Sequence, residues 1–197
     1  MDRLLAVSPD GRSIAFATNR NGPTQILVSG VDGTDPRVLV SAIPPFDSFG
    51  DNTAVDGITW SPDEKWIAFL TEPGVGHGDE DAKLFLIPAA GGPLRLLVNC
   101  SQGLNAPPWS EDSRFVYFVK TDPEYHTTHF RIDVATGQQT GVEQATIPRA
   151  PLVPLPQGAE QPHVAEGGRF LYYVQQQEQY RSRMVAVQQL PIDANGK

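Results

Sequence analysis

The sequence predicts an all-β fold, a β-propeller or partial propeller of about four four-stranded antiparallel blades, and three observations carry that prediction. One nine-residue pattern recurs as Ser8-Pro9-Asp10-Gly11-Arg12-Ser13-Ile14-Ala15-Phe16, Ser61-Pro62-Asp63-Glu64-Lys65-Trp66-Ile67-Ala68-Phe69 and Ser110-Glu111-Asp112-Ser113-Arg114-Phe115-Val116-Tyr117-Phe118. A weaker fourth copy runs from Ala165 through Gly167 and Gly168 to Tyr173, and the four copies begin 53, 49 and 55 residues apart. A turn and an apolar strand at such a period mark a repeat architecture. Trp60 and Trp109 each stand directly before the Ser of their turn, a match that a sandwich with coincidentally similar turns would not produce. Finally, the 18 glycines and 18 prolines fall at intervals along the chain, punctuating many short strands.

Each copy spells out the same elements. Pro9 presets φ at the first corner of a tight turn, Asp10 can bond nearby backbone, and Gly11 can take the left-handed conformation that closes the turn. Ser13 to Ala17 then reads as a strand, with Ile14 and Phe16 on one face and the small Ala15 and Ala17 on the other. Asn19-Arg20-Asn21-Gly22 reads as a hairpin turn. Gln25 to Val28 is the next strand, Val31-Asp32-Gly33-Thr34 a turn, and Arg37 to Val40 a short last strand.

The second copy has a lead-in strand, Gly57 to Trp60, followed by strands over 65–70, 83–87 and 94–98. The third leads in through Pro107-Pro108-Trp109 and continues over 114–120 and 129–133 to a closing turn at Ala135-Thr136-Gly137-Gln138. The fourth leads in at Gln161 to Val164, continues over 169–174 and 183–188, and stops before a last strand. Gln175 to Tyr180 reads as a polar hairpin tip. A meander with two apolar faces needs neighbours on both sides, and radial stacking supplies them.

The expected organisation is one propeller-type domain over 1–197, with blades at 1–52, 53–104, 105–147 and 159–197. Pro148, Pro151, Pro154, Pro156 and Pro162 mark an extended connector centred on 148–158, a stiff linker rather than a ligand for an aromatic groove. Because the chain starts with almost no lead-in strand and stops inside the fourth unit, it is expected to be part of a larger propeller. An open arc would leave sheet faces and strand edges for self-association.

Ser8-Pro9-Asp10-Gly11, Ile14-Ala15-Phe16, Asn19-Arg20-Asn21-Gly22, Gln25-Ile26 and Asp32-Gly33 together resemble the repeat of TolB-type β-propellers. Related repeats occur in the propellers of prolyl oligopeptidase-like serine peptidases. The resemblance spans nearly the whole chain and is strongest in the first two copies. It implies the architecture and leaves the activity open, because such propellers serve many roles. Two departures stand out: TolB-type propellers usually carry six or more blades, and the copies here are lengthened at 43–52, 74–81 and 145–160.

The net charge of −8 repels phosphate backbones, which argues against a nucleic-acid partner. Hydrophobic residues make up 40% and the mean hydropathy is −0.28, as in soluble globular proteins. No run of 18 apolar residues suggests a membrane span. Met1 to Val7 leads straight into the first repeat, leaving no room for a signal peptide in this chain. The expected location is cytoplasmic if Met1 is the natural start, and periplasmic or extracellular only if a segment precedes it. Cys100 is the sole cysteine, so no internal disulfide forms.

The turn residues Ser8, Pro9, Asp10, Gly11, Ser61, Pro62, Asp63, Ser110, Asp112, Gly167 and Gly168 are the recurring positions, and their expected role is structural. No Gly-x-Ser-x-Gly places a serine on a nucleophile elbow. His126 and His129 are spaced i, i+3 but lack companions at zinc-ligand spacing. Gly76-His77-Gly78-Asp79-Glu80-Asp81 is acidic but lacks an EF-hand pattern. Tyr117, Phe118, Tyr172 and Tyr173 are expected to pack between blades rather than to stack on sugars. Arg12, Lys65, Arg114 and Arg169 read as strand-start surface charges.

The reading that follows is a non-catalytic binding module with no cofactor, holding a protein or peptide partner through its loops. The alternatives are the propeller portion of a prolyl oligopeptidase-like peptidase without its hydrolase domain, and a propeller enzyme acting on a lactone or glycan.

Overall fold

A computed structural model describes residues 4–19, 23–41, 43, 55–71, 82–101, 106–148, 159–165, 170–179 and 182–191. The first sheet contains β1 (Leu4–Val7), β2 (Ser13–Thr18), β3 (Gln25–Gly30) and β4 (Arg37–Val40). The second contains β5 (Val55–Trp60), β6 (Trp66–Thr71), β7 (Ala82–Pro88) and β8 (Arg95–Cys100). The third is built from β9 (Phe115–Thr121), β10 (Thr127–Asp133) and β11 (Gln139–Val142), and the fourth from β12 (Ala159–Ala165), β13 (Phe170–Gln179) and β14 (Ser182–Pro191). Every sheet is an antiparallel meander in chain order.

Among the described residues two sheets thus have four strands and two have three. In the third, the lead-in strand is reduced to single bridges, Ser101 to Val119 and Trp109 to Val116. Pro107 and Pro108 lack the N–H groups a continuous ladder requires. In the fourth, β12 starts at Ala159, and its register shifts between Glu160 and His163, around Pro162, which has no proton to donate. Gln175 to Gln179 are not a hairpin tip: they pair in register with Ser182 to Ala186 as the end of β13. An antiparallel partner of matching length carries this polar run within the ladder.

Alternation along the second strand of each blade settles how the sheets stack. In β6, Ile67 and Phe69 join one buried cluster with Ala15, Ala17, Ile26 and Val28 of the first sheet. Ala68 and Leu70 join another with Val116, Phe118 and Ile132 of the third. The period-2 side-chain pattern therefore buries both faces of the second sheet. Small Ala15 and Ala17 on the leading sheet share this cluster with bulky Ile67 and Phe69 on the next, so unlike faces come together and the sheets pack head to tail. Phe69 stacks on Phe85 across the ladder with centroids 5.4 Å apart, and Phe118 on Phe130 at 5.5 Å.

Hydrogen bonds repeat across these interfaces. Trp60 Nε1–H donates to the Ala6 carbonyl at 3.1 Å, and Trp109 Nε1–H to Thr59 Oγ1 at 3.2 Å. Ala6 and Thr59 occupy the same place, two residues before their turn serines, so each indole bonds the matching residue of the preceding blade. At the outer rim, Arg37 donates to the Ala89 carbonyl and Arg95 to the Val134 carbonyl. β12 of the fourth sheet lies beside β1.

The indole bond gives a direct test. Trp60→Phe removes the indole N–H, shrinks the ring and strands the buried Ala6 carbonyl, so it is expected to lower unfolding stability by roughly 1–3 kcal/mol in urea titration. Trp66→Phe, whose indole makes no such bond among the described residues, is expected to cost less.

Candidate functional site

The recurring Ser-Asp turns are where the sequence concentrates polar groups, and all three described copies have the same geometry. Ser8, Ser61 and Ser110 donate Oγ–H to Asp10, Asp63 and Asp112 Oδ1 at 2.6, 2.7 and 2.6 Å. Each Oγ accepts a backbone N–H five residues on, from Ser13, Trp66 and Phe115, at 2.9 Å in every case. Each aspartate also accepts from the backbone N–H of Arg12, Lys65 or Arg114, at 3.0–3.2 Å. The hydroxyl is thus both donor and acceptor within its own turn, and Ser61 and Ser8 are buried. Among the described residues no histidine is hydrogen-bonded to these serines as a base would be; their geometry closes turns.

The third turn residue after each serine is left-handed: Gly11 has φ 74°, Glu64 62° and Ser113 60°. Only the first copy supplies the glycine that accepts this without strain. Ser113 adds a compensating contact, since its Oγ accepts the Asp63 N–H of the preceding blade at 2.9 Å. Pro9 and Pro62 occupy the first corners of turns closed by the Gly11 N–H on the Ser8 carbonyl and the Glu64 N–H on the Ser61 carbonyl. Gly167 and Gly168 lie outside the described residues, as do Arg169 and the 74–81 loop. Of the fourth-blade aromatics, only the β13 backbone at Tyr172 and Tyr173 is described.

Burial opposes ionisation of Asp10 and Asp63, but the serine hydroxyls and backbone N–H groups outweigh it and hold both carboxyls below the ordinary carboxylate range. For Asp112 the Ser110 hydroxyl leads, with the Arg114 N–H behind it. Asp133 goes further, to about 2, through the Thr136 N–H first and the Arg114 guanidinium second. Arg114 Nε lies 2.8 Å from Asp133 Oδ2, so this charge at the strand start is paired rather than free on the surface. Arg12 and Lys65 remain largely exposed near Asp10 and Asp63.

His126 and His129 are not brought together as a ligand pair. His129 stands within β10, opposite Val119 and Val142, whereas His126 sits in the turn after β9. The companions of His126 are Asp122 and Glu124, with potential ligand atoms all within 4.8 Å of one another and all three residues exposed. His126 Nδ1 already lies 3.1 Å from Asp122 Oδ2. The trio offers at most three of the four ligands of a structural zinc site. Tyr117 and Phe118 are buried, Phe118 within the second core cluster. Burial also pushes the Cys100 thiol up to about 12.

Topology contributes a feature that residue-by-residue reading missed. The Ser-Asp turns and the turns after the third strands all lie at one end of the sheets, tied together by Asp63 to Ser113 and Arg37 to Ala89. In antiparallel meanders the remaining connections must then leave from the opposite end. The segments after Thr18, Val40, Thr71, Cys100 and Thr121 all do so.

No family model and no curated protein matches the sequence. Among solved structures, the putative TolB from Agrobacterium tumefaciens is similar at 15% identity and a TM-score of 0.50, over 98% of this chain and 58% of that one. The tricorn protease gives 0.53 at 10% identity, over 97% of this chain and 18% of that one. A prolyl endopeptidase gives 0.52 at 18% identity, over 88% and 26%. The chain spans little more than half the length of the first of these and less of the others. At these identities the likeness establishes the fold, that of TolB-like and peptidase-associated β-propellers or a part of one.

The turn chemistry yields two expected outcomes. Ser61→Ala removes one donor and one acceptor from a buried hub and is expected to cost roughly 1–3 kcal/mol by chemical denaturation. The depressed Asp133 value means its stabilisation is complete above its ordinary value of 3.8 and is lost as pH falls toward about 2. Acid unfolding of Asp133→Asn is therefore expected to show a shallower pH dependence across that window.

Proposed function

We propose that this chain is a non-catalytic, TolB-like β-propeller scaffold that binds a protein or peptide partner through the connections gathered at one end of its sheets. The carrying observation is the division of labour between the two ends. One end is closed by short turns whose polar atoms bond one another. The other carries the connections that vary in length and sequence, the usual place for recognition on a rigid frame. The stacked sheets supply that frame, with their faces buried against one another.

A second reading is favoured by the likeness to the prolyl endopeptidase fold. In it, the chain is the propeller portion of a prolyl oligopeptidase-like peptidase and its partner surface faces a hydrolase domain.

Amine cross-linking in the source cells tests the proposal, because lysines mark both ends. Lys83 and Lys120 flank connections at the variable end, and exposed Lys65 lies in a Ser-Asp turn. Partner cross-links are expected at Lys83 and Lys120 and not at Lys65; the reverse pattern contradicts the proposal. Cross-links from the same two lysines to a hydrolase domain on one longer polypeptide favour the second reading.

A further inference from the structure

The turn between β9 and β10 gathers metal-ligating side chains that blade packing does not use. Thr121 and Thr127 pair as the last rung of the two strands, and Asp122, Pro123, Glu124, Tyr125 and His126 connect them. The Asp122 N–H donates to the His126 carbonyl at 3.1 Å, and the Tyr125 N–H to the Asp122 carbonyl at 2.9 Å. Asp122 Oδ1 accepts the His126 N–H at 2.8 Å. The first and last residues of the turn are thus held side by side on a two-stranded frame.

An imidazole and two carboxylates converge there. His126 Nδ1 lies 3.1 Å from Asp122 Oδ2. One ligand atom from each of Asp122, Glu124 and His126 lies within 4.8 Å of the other two. Nitrogen and oxygen ligands bound to one zinc ion at about 2.0–2.2 Å stand roughly 3 Å apart, so His126 and Asp122 already have that spacing. Glu124 is exposed, and its carboxylate has no ion pair or hydrogen bond among the described residues.

No protein cation occupies this position. Among the described residues no lysine or arginine pairs with Asp122 or Glu124. Lys120, two residues before Asp122, instead bonds Gln139 Oε1 at 3.1 Å and lies over the Phe118 and Phe130 rings. In a chain of net charge −8, both carboxylates are therefore open to a cation from solution. The imidazole selects which one. Nitrogen ligands suit first-row transition ions, whereas Mg²⁺ and Ca²⁺ take oxygen ligands.

We propose that Asp122, Glu124 and His126 bind a divalent transition-metal ion such as Zn²⁺, with three protein ligands and water in the remaining position. The site needs this turn alone, so it holds its ion whether or not the neighbouring connections bind a protein partner.

The test titrates the intact chain with Zn²⁺ and follows the histidine ring nitrogens by NMR, with His126 assigned through His126→Gln. The expected result is a saturable shift of the His126 ring signals with half-saturation below about 100 μM, and no comparable shift with Mg²⁺. His126→Gln and Glu124→Gln are expected to keep the wild-type backbone spectrum and to bind Zn²⁺ at least about ten-fold more weakly. His129→Gln, within β10, is expected to bind as wild type. A His126 signal that does not saturate in that range means adventitious surface binding only and overturns the proposal. Unchanged affinity in folded His126→Gln or Glu124→Gln overturns it as well, as does a Zn²⁺ response confined to other histidines or matched by Mg²⁺.

Discussion

The second sheet of this protein buries apolar side chains on both faces, and the requirement to cover both governs the arrangement of its neighbours. A sheet with one wet face alternates apolar and polar residues; β6 instead buries Ile67, Ala68, Phe69 and Leu70 in succession. Such a strand is stable only between two neighbours. Because Ile67 and Phe69 face the preceding blade while Ala68 and Leu70 face the following one, the contact is polar in direction. It propagates as one surface meeting a different one, the heterologous geometry that generates rings and arcs. The indole and arginine bonds then fix the rotation of one sheet on the next, which non-directional burial alone leaves loose.

The Ser-Asp turn serves this packing by fixing where the second strand begins. Its hydroxyl and carboxylate replace backbone hydrogen bonds that the reversal of the chain leaves open. A one-residue slip there would send Ile67 and Phe69 to the wrong neighbour, since side chains alternate with every residue. This explains why Glu64 and Ser113 occupy a left-handed conformation without being glycine: the turn geometry is required by the packing it sets up. Chemically active-looking groups are thereby committed to structure.

Much of the fold was legible because its determinants are local. The turn pattern, the apolar alternation from Ile14 to Ala17 and from Ile67 to Leu70, and the two tryptophans lie within short windows. What the sequence concealed depends on neighbours distant in the chain. Arg37 and Arg95 look like ordinary strand-start charges until the carbonyls of Ala89 and Val134 are placed beside them. Asp122 and Glu124 gain interest only when the turn folds them toward His126. Polar composition suggested a hairpin tip at Gln175 to Gln179, but pairing with β14 overrides that local preference. Arg131 stands out for the same reason, since it is unusual only when its place opposite Tyr117 is matched with those of Val28 opposite Ala15 and Leu86 opposite Ala68.

A double-mutant cycle between Ala15 and Phe69 tests the head-to-tail packing most directly. Phe69→Ala opens a cavity and Ala15→Leu alone overfills the matching site, each costing roughly 1–5 kcal/mol in unfolding free energy. If small Ala15 receives bulky Phe69 across the interface, the double variant recovers part of the loss, and the cycle shows favourable coupling of about 0.5–3 kcal/mol. Strict additivity would mean that the two residues do not share a packed boundary, and would contradict the stacking on which the account rests.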